Sequence, residues 1–570
     1  MTTSVPVPAL DRDLIARLRF DVIASRWTID TLSALLSADT LAALMRDSRL
    51  PALVELAGVA DPAATLTRFF ILGQPERASA LAGALPTLGA QGLETLGLAA
   101  VIDEAEAASG LVMPRACAKP TSTSAPTRER AEAGEDGEAS SREAPTLPTM
   151  RDPDEEAPES EVEHDPWMRA LFDLRPHAAA LPGGDHDWWV TSDLGEAQTG
   201  RPLADDHVLG IGGATLTLLE MTVRDRVDSA LDLGGGCGIQ ALYLATHADR
   251  VVATDLSARA CALTQFNAAL NETVIDVREG SLFEPVAGEA FDLIVSNPPF
   301  VLTPPAVREA GLPLMEYRDA GGPVLPELVA GLREHLEPGA AAVMLGNWEH
   351  RGADSWREAV ATWIPEGLDG WVIEREVQDP VEYATMWLRD GGLTSERDAE
   401  GFDAALGAWI DDFEVRGVQG VGFGYLIVHR PLRPRDPWRL LEEVTTSGQG
   451  VLGHHVAEVL EVRERLAGLD DDAVADLRPV LAPDVTEERH LIPGAAEPTV
   501  ILLRQGGGLG RTIRASTVVA ALAGVADGEL SVGQIASAVV ALTGEDAIGL
   551  RAEMVEATRH LIAVGFLTID

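Results

Sequence analysis

The sequence predicts an α/β protein: a doubly wound, seven-stranded sheet over residues 206–430, flanked on each side by a mostly helical module. Two observations carry this reading. From about 206 to 430, short apolar runs alternate with stretches of helical periodicity, as a sheet covered on both faces requires. Three of those runs, moreover, lead directly into a distinctive signal: Leu231-Asp232-Leu233-Gly234-Gly235-Gly236-Cys237-Gly238, then Val251-Val252-Ala253-Thr254-Asp255, then Asn297-Pro298-Pro299-Phe300. Each run reads as a buried parallel strand.

Taken in order, residues 1–115 read as a helical module. Leu14, Leu18 and Val22, then Leu32, Leu35, Leu36, Leu41 and Leu44, recur at helical spacing. Short helices continue from Phe69 to Ala100, broken at Gly73, Pro86 and Gly97, and Gly97-Leu98-Ala99 reads as the helix-to-wing step of a winged-helix-like fold. Over 116–165 the composition turns to Ser, Thr, Pro, Glu and Ala, which cannot bury enough apolar surface to offset ordering entropy. A disordered acidic insertion is expected there. Residues 166–205 return to the first module, with Trp188-Trp189-Val190 as a strand packed on the next part of the chain.

Within 206–430 the expected strands end at Leu233, Asp255, Arg278, Ser296 and Leu345, and Trp371–Val377 with Val421–Val428 completes seven. The stretch 380–418 between the last two reads as a mostly helical insertion. Residues 431–570 form a third, winged-helix-like module. Val500–Arg504 and Arg511–Arg514 flank Gly506–Gly510 as a hairpin, and Ser531 with Gln534 has the spacing of a capping box opening a helix. Leu550, Met554, Thr558, Leu561 and Ile562 then line a second helix that stops at Gly565. That helix sets Glu553 and Glu556 beside Arg551 and Arg559, which favours protein contact over DNA.

Composition narrows the function. The three cysteines, Cys117, Cys237 and Cys261, support neither a disulfide framework nor a zinc site. His454-His455 has no partner at ligand spacing, so no metal is expected. The start has no basic, then apolar, leader pattern, and no run approaches the ~18 apolar residues of a membrane span. A soluble cytoplasmic protein is the expectation. The net charge is −46, and residues 206–430 alone carry 15 arginines against 36 acidic residues. Nucleic-acid binders normally carry a basic stripe, so this balance counts against an RNA or DNA acceptor.

The motifs have a physical logic. A glycine-rich turn at a helix N-terminus lets backbone approach a ligand closely, and its amides favour a carboxylate. An acidic residue about 20 residues on, here Asp255, binds ribose hydroxyls. A dinucleotide-binding turn shares both features, but not Asn297-Pro298-Pro299-Phe300. In that tetrad the Asn297 side-chain oxygen and the Pro298 carbonyl are two acceptors that would suit the two hydrogens of a conjugated nitrogen and favour its rehybridisation. Pro299 has no N–H to donate and stiffens the loop, and Phe300 offers a face for stacking a planar group.

In this order the three signals resemble the class I S-adenosylmethionine-dependent N-methyltransferases, and most closely the release-factor glutamine methyltransferase family, whose tetrad the RNA amine methyltransferases share. The resemblance covers roughly residues 200–350 and implies a Rossmann-like fold with S-adenosyl-L-methionine as cofactor. It implies Gly234, Gly236 and Gly238 as the donor's turn, preceded by Asp232, with Asp255 on the ribose. Ser281 and Leu282 fall at the adenine, Ser281 standing where family members usually have Asp or Glu. Asn297 to Phe300 become the catalytic tetrad, its last residue Phe as in the RNA enzymes where the release-factor enzymes usually have Tyr. His207–Thr215 resembles the segment closing the cofactor site from beneath, and Glu316–Gly322 an acceptor-side loop. Asn347-Trp348 either borders the pocket or packs. The expected function is N-methylation of a protein glutamine-type amide. An rRNA or tRNA base amine is the runner-up, and a non-catalytic donor-binding scaffold or regulator a third reading.

Overall fold

Eight runs assemble into one mixed sheet: β1 (Val227–Leu233), β2 (Ala248–Asp255), β3 (Asp276–Glu279), β4 (Phe291–Ser296), β5 (Leu336–Arg351), β6 (Asp369–Gln378), β7 (Val418–His429) and β8 (Arg439–Glu443). Their order is β8-β6-β7-β5-β4-β1-β2-β3. β7 runs antiparallel to β5 and β6, and the other pairings are parallel. The computed structural model describes residues 5–46, 48–110, 165–181, 183–201, 203–301, 303–309, 323–352, 355–446, 451–544 and 546–569.

Alternation along the strands gives the sheet two buried faces. On one, Leu231, Leu233, Ile294 and Met344 pack against Leu328, Val329 and Leu332 of helix Val324–His335. On the other, Ala230, Val295, Val343 and Ile373 meet helices Gly213–Met221, Ile239–Leu244 and Leu452–Ala467. Among the described residues, no helix is long and apolar enough to cross a membrane.

Two differences from the expected sheet have local causes. The sheet has eight strands, where the sequence pattern indicates seven. The eighth, Arg439-Leu440-Leu441-Glu442-Glu443, is mostly polar and lacks the apolar run of a central strand. It is admitted at the edge by parallel pairing from Gly370↔Arg439 to Glu374↔Glu443. The expected end of the fifth strand at Leu345 also falls short. β5 continues to Arg351 because β7 pairs with its polar extension, Asn347 facing Phe423 and Glu349 facing Val421.

In the N-terminal part helices predominate to Gly110, with breaks where Gly73, Pro86 and Gly97 stand and short strands at Glu76–Arg77 and Ala99–Ile102. The buried carboxylate of Asp21 pins the second break, accepting the N–H groups of Thr87 (3.0 Å) and Leu88 (2.8 Å). After Gly97, at φ +72°, strand Ala99–Ile102 pairs with Trp167–Ala170, and a hairpin of Phe172–Leu181 with Gly184–Asp193 comes next. This hairpin lies on helix Ala258–Leu270. Trp189 donates from its backbone N–H to Asn271 Oδ1 (3.0 Å), while Asn271 Nδ2 returns a bond to the Trp189 carbonyl (2.8 Å). The expected disordered insertion, 116–165, lies outside the described residues except for Asp165.

In the C-terminal part, Val500–Gln505 and Thr512–Arg514 form the expected hairpin, widened by a third strand, Val485–His490. The capping box at Ser531 and Gln534 opens helix Val532–Thr543, and helix Ala547–Ala563 precedes a short strand, Leu567–Thr568, paired with Val480–Leu481. Arg511 ties this part to the sheet. Its guanidinium donates twice to Glu442 of β8 (2.7 and 3.0 Å) and once to the Val564 carbonyl, and Trp371 Nε1 of β6 donates to the same carboxylate at 2.7 Å. His455 closes the cluster against Arg511, while the exposed His454 faces Glu458 on its own helix.

Removing one member of a buried ion pair strands the other charge, at a cost of about 3–5 kcal/mol. Arg511→Ala is therefore expected to lower stability by that amount in urea denaturation monitored by tryptophan fluorescence. Arg489→Ala, exposed on the third strand Val485–His490, is expected to leave the transition unmoved.

Candidate active site

The sheet register gathers the three sequence signals. β1 lies between β2 and β4, with Leu233 opposite Thr254 on one side and Ser296 on the other. The glycine turn, Asp255 and the tetrad therefore leave the sheet side by side at its carboxyl edge. Ser296 Oγ donates to the Leu233 carbonyl at 2.7 Å, fastening the start of the tetrad to the start of the turn.

The turn itself needs glycine. Gly234, Gly236 and Gly238 have φ of +77°, +57° and +81°. A Cβ at Gly234 or Gly236 would project into open space, which is the close backbone approach a ligand requires. The neighbouring chain holds this shape: the Thr254 carbonyl accepts the N–H groups of Gly234 (2.8 Å) and Gly235 (3.0 Å). From helix Ala258–Leu270, Thr264 Oγ1 donates to the Gly236 carbonyl at 2.9 Å, and Asn267 Nδ2 to the Cys237 carbonyl at 2.8 Å.

Asp255 is half-buried, with one oxygen accepting the Gly236 N–H (2.9 Å) and the other the Ser257 N–H (2.8 Å). Burial pushes its pKa above the ordinary carboxylate value, against the pull of those N–H bonds. This strand-end carboxylate suits paired hydroxyls. Asp232 is different. It is 1% exposed, lies beneath the turn and accepts the Ala241 N–H at 3.0 Å, and burial pushes its carboxyl up to about 7. Its contacts shape the turn and the helix beyond it.

Beyond β3, the Gly280 N–H bonds the Asp255 carbonyl (2.9 Å), bringing Ser281 and Leu282 beside Asp255. Both are half-buried, and Leu282 holds a left-handed φ of +46°, a conformation non-glycine residues adopt at some cost. In the tetrad, Pro298 is buried and Asn297, Pro299 and Phe300 are half-buried. Phe300 meets Trp387 and Phe423 edge-on, with ring centroids 6.4 and 6.5 Å apart. The residues present fit an adenosyl donor: an open glycine cradle, an acceptor carboxylate for a ribose, and an apolar side chain at Leu282.

His207–Thr215 leads into helix Gly213–Met221, whose Thr215 carbonyl accepts from Gln240 on the helix after the turn (3.0 Å). Asn347 and Trp348 border a cavity of about 430 Å3 beside Phe300, and Trp348 also packs, stacking on Trp356 at 5.2 Å. The acceptor-side loop expected at Glu316–Gly322 lies outside the described residues. Sequence reasoning passed over Thr264, Asn267 and Tyr383. A visible signal for the first two was polar residues on the buried face of a helix.

Gly238→Ala tests the turn. The new Cβ would sit 2.7 Å from Thr264 Cγ2 at a left-handed φ, so a loss of about 1–3 kcal/mol is expected in thermal denaturation. Gly212→Ala, with open space and φ −116°, is expected to be silent.

Comparison with known proteins agrees with this geometry. The family described as "Methyltransferase small domain" matches residues 210–310, and a domain of unknown function, DUF7059, matches 24–109. The release factor glutamine methyltransferase of Xylella fastidiosa is 38% identical over 156 residues, 24% of this chain and 55% of that protein. That of Deinococcus radiodurans is 34% identical over 199 residues, 32% of this chain and 68% of its own length. The ribosomal RNA small subunit methyltransferase C of Pasteurella multocida is 33% identical over 134 residues, 23% and 35% of the two chains. The chain thus spans little more than half of the first of these relatives. With two thirds of the Deinococcus protein covered, and with the turn, the strand-end carboxylate and the tetrad at one sheet edge, this chain belongs to the small-domain methyltransferase family that includes the release factor glutamine methyltransferases.

Proposed function

We propose that this chain is an S-adenosylmethionine-dependent N-methyltransferase acting on a planar conjugated nitrogen, a glutamine-type amide of a protein. The observation that carries the proposal is the Ser296–Leu233 bond, which sets the tetrad beside the glycine turn and Asp255. Bound at the turn, the donor supplies a methyl group made electrophilic by its sulfonium. Gly234 and Gly236 would admit it closely, Asp255 would hold its ribose hydroxyls, and Ser281 and Leu282 would border its adenine. Asn297 Oδ1 and the Pro298 carbonyl accept the two N–H hydrogens of the acceptor, drawing its lone pair out of conjugation. Held by these two acceptors, the nitrogen would present its lone pair toward the donor's methyl group, and the proton it sheds on methylation would pass to water. Positioning and oriented dipoles supply the rate, with no dedicated base required.

The acceptor class rests on charge. Fifteen arginines against 36 acidic residues over 206–430 make phosphate-rich partners costly and basic or neutral protein partners favourable. On this reading the flanking parts recruit the acceptor. Methylation of an RNA base amine is the second reading, favoured by Phe300 in the last position of the tetrad. Radiolabelled donor incubated with protein and cell lysate separates the two: label is expected to resist RNase and to disappear with protease. RNase-sensitive label, with affinity falling steeply with salt, would establish the RNA reading. No label in any fraction would leave a donor-binding scaffold.

Asp255→Ala is expected to weaken donor binding in calorimetry by about 1.5–3 kcal/mol, the worth of charge-assisted hydrogen bonds. Asn297→Ala is expected to lower kcat by about 10²–10³-fold with the donor's Kd nearly unchanged, since its bonds strengthen only as the nitrogen rehybridises. Phe300→Tyr keeps the stacking face and is expected to retain activity. A wild-type rate in Asn297→Ala would assign the tetrad a purely structural role.

A further inference from the structure

The cavity of about 430 Å3 beside Phe300 is built mainly from parts of the chain beyond the matched small domain. Helices Pro380–Asp390 and Ala399–Arg416, inserted between β6 and β7, supply Tyr383 and Phe413; the β5 extension supplies Asn347 and Trp348; helix Trp356–Ala361 and its exit supply Trp356 and Trp363. The loop after the tetrad is anchored on the same insertion, Val301 and Val307 packing with Tyr383, Leu388 and Phe413. Phe300, the last residue of the tetrad, forms part of the wall of this aromatic space.

Its charges are already spent on one another. Arg351, in the cavity wall, donates twice to Glu349 Oε2 (2.8 and 2.6 Å), and the other oxygen of Glu349 is bonded by Arg416, which also grips Asp412 (2.8 and 2.6 Å). A phosphate entering here would meet a carboxylate and no spare cation among these groups. Asn347 Nδ2 is likewise engaged, donating to Tyr383 Oη at 2.9 Å. What the wall offers is apolar and aromatic surface, in a volume larger than one amide side chain fills.

We propose that this cavity is an anchor subsite that takes a large apolar or aromatic side chain adjacent to the methylated residue of a protein acceptor, so that the inserted helices set sequence specificity. The inference rests on the amide-methylating reading above and deepens it. Burying such a side chain is worth about tenfold or more in kcat/KM.

Short synthetic peptides with one glutamine test it, the neighbouring residue being Phe, Leu, Ala or Asp. The expected result is kcat/KM about tenfold or more higher for Phe and Leu than for Ala or Asp. Ala359→Trp and Thr362→Trp, both at the exposed rim of the cavity, are expected to abolish that preference while leaving donor affinity, thermal midpoint and the rate on the Ala peptide unchanged. Equal rates on all four peptides, or a preference surviving in both rim variants, would overturn the anchor and leave the amide reading intact. If no peptide is methylated while RNA is, the amide reading falls and the anchor with it; no methylation of either counts against both.

Discussion

The parallel register of β1 between β2 and β4 is the constraint on which the site depends. Because Leu233 stands level with both Thr254 and Ser296, three chain segments far apart in sequence leave the sheet at the same height. Thr254 contributes its carbonyl to the turn, Asp255 its carboxylate to Gly236, and Ser296 its hydroxyl to Leu233. A slip of two residues in either ladder would keep every side chain on its face yet separate these groups by the length of a dipeptide, about 6–7 Å. Buried faces exclude odd slips, and the bonds at the strand ends resist even ones.

The parts of this design that sequence makes legible are those written in short, one-dimensional patterns. Val251–Ala253 and Leu293–Val295 are apolar without interruption because both sides of the strand are buried, and Gly234, Gly236 and Gly238 are glycines because their backbone turns left-handed. What sequence conceals is whatever depends on a distant partner. β8 has only two apolar residues, and it becomes a strand because Gly370–Glu374 offers an open edge. The β5 extension exists because β7 returns beside it. Asp232 carries the residue type of a ligand contact, but its depth beneath the turn is a property of the fold.

Two different logics meet at the tetrad. On the donor side, contacts are short, polar and backbone-based, so the chain between β1 and β4 has little freedom to vary. On the other side, Phe300 faces Trp387 and Phe423 through ring edges, and the wall is made mainly of side chains from helices and strand ends that the family match does not include. Apolar contacts of this kind lack direction and tolerate replacement by residues of similar volume. A fixed chemical centre with a replaceable wall lets one reaction be redirected between acceptors without rebuilding the machinery.

The amide pair on helix Ala258–Leu270 and its cap has a consequence of another sort. Strand Gly184–Asp193 is paired on one edge with Phe172–Leu181, which leaves the other edge able to recruit a strand from a second molecule. Asn267 and Asn271, one helical turn apart, occupy that edge at alternate residues: Oδ1 of each accepts an N–H, from Thr191 and Trp189, and Nδ2 of each donates to the same residue's carbonyl. Side chains thus complete a ladder that no backbone is present to complete. The hairpin is protected from self-association by two amides, and a carboxylate in either place would set oxygen against oxygen and reopen the edge.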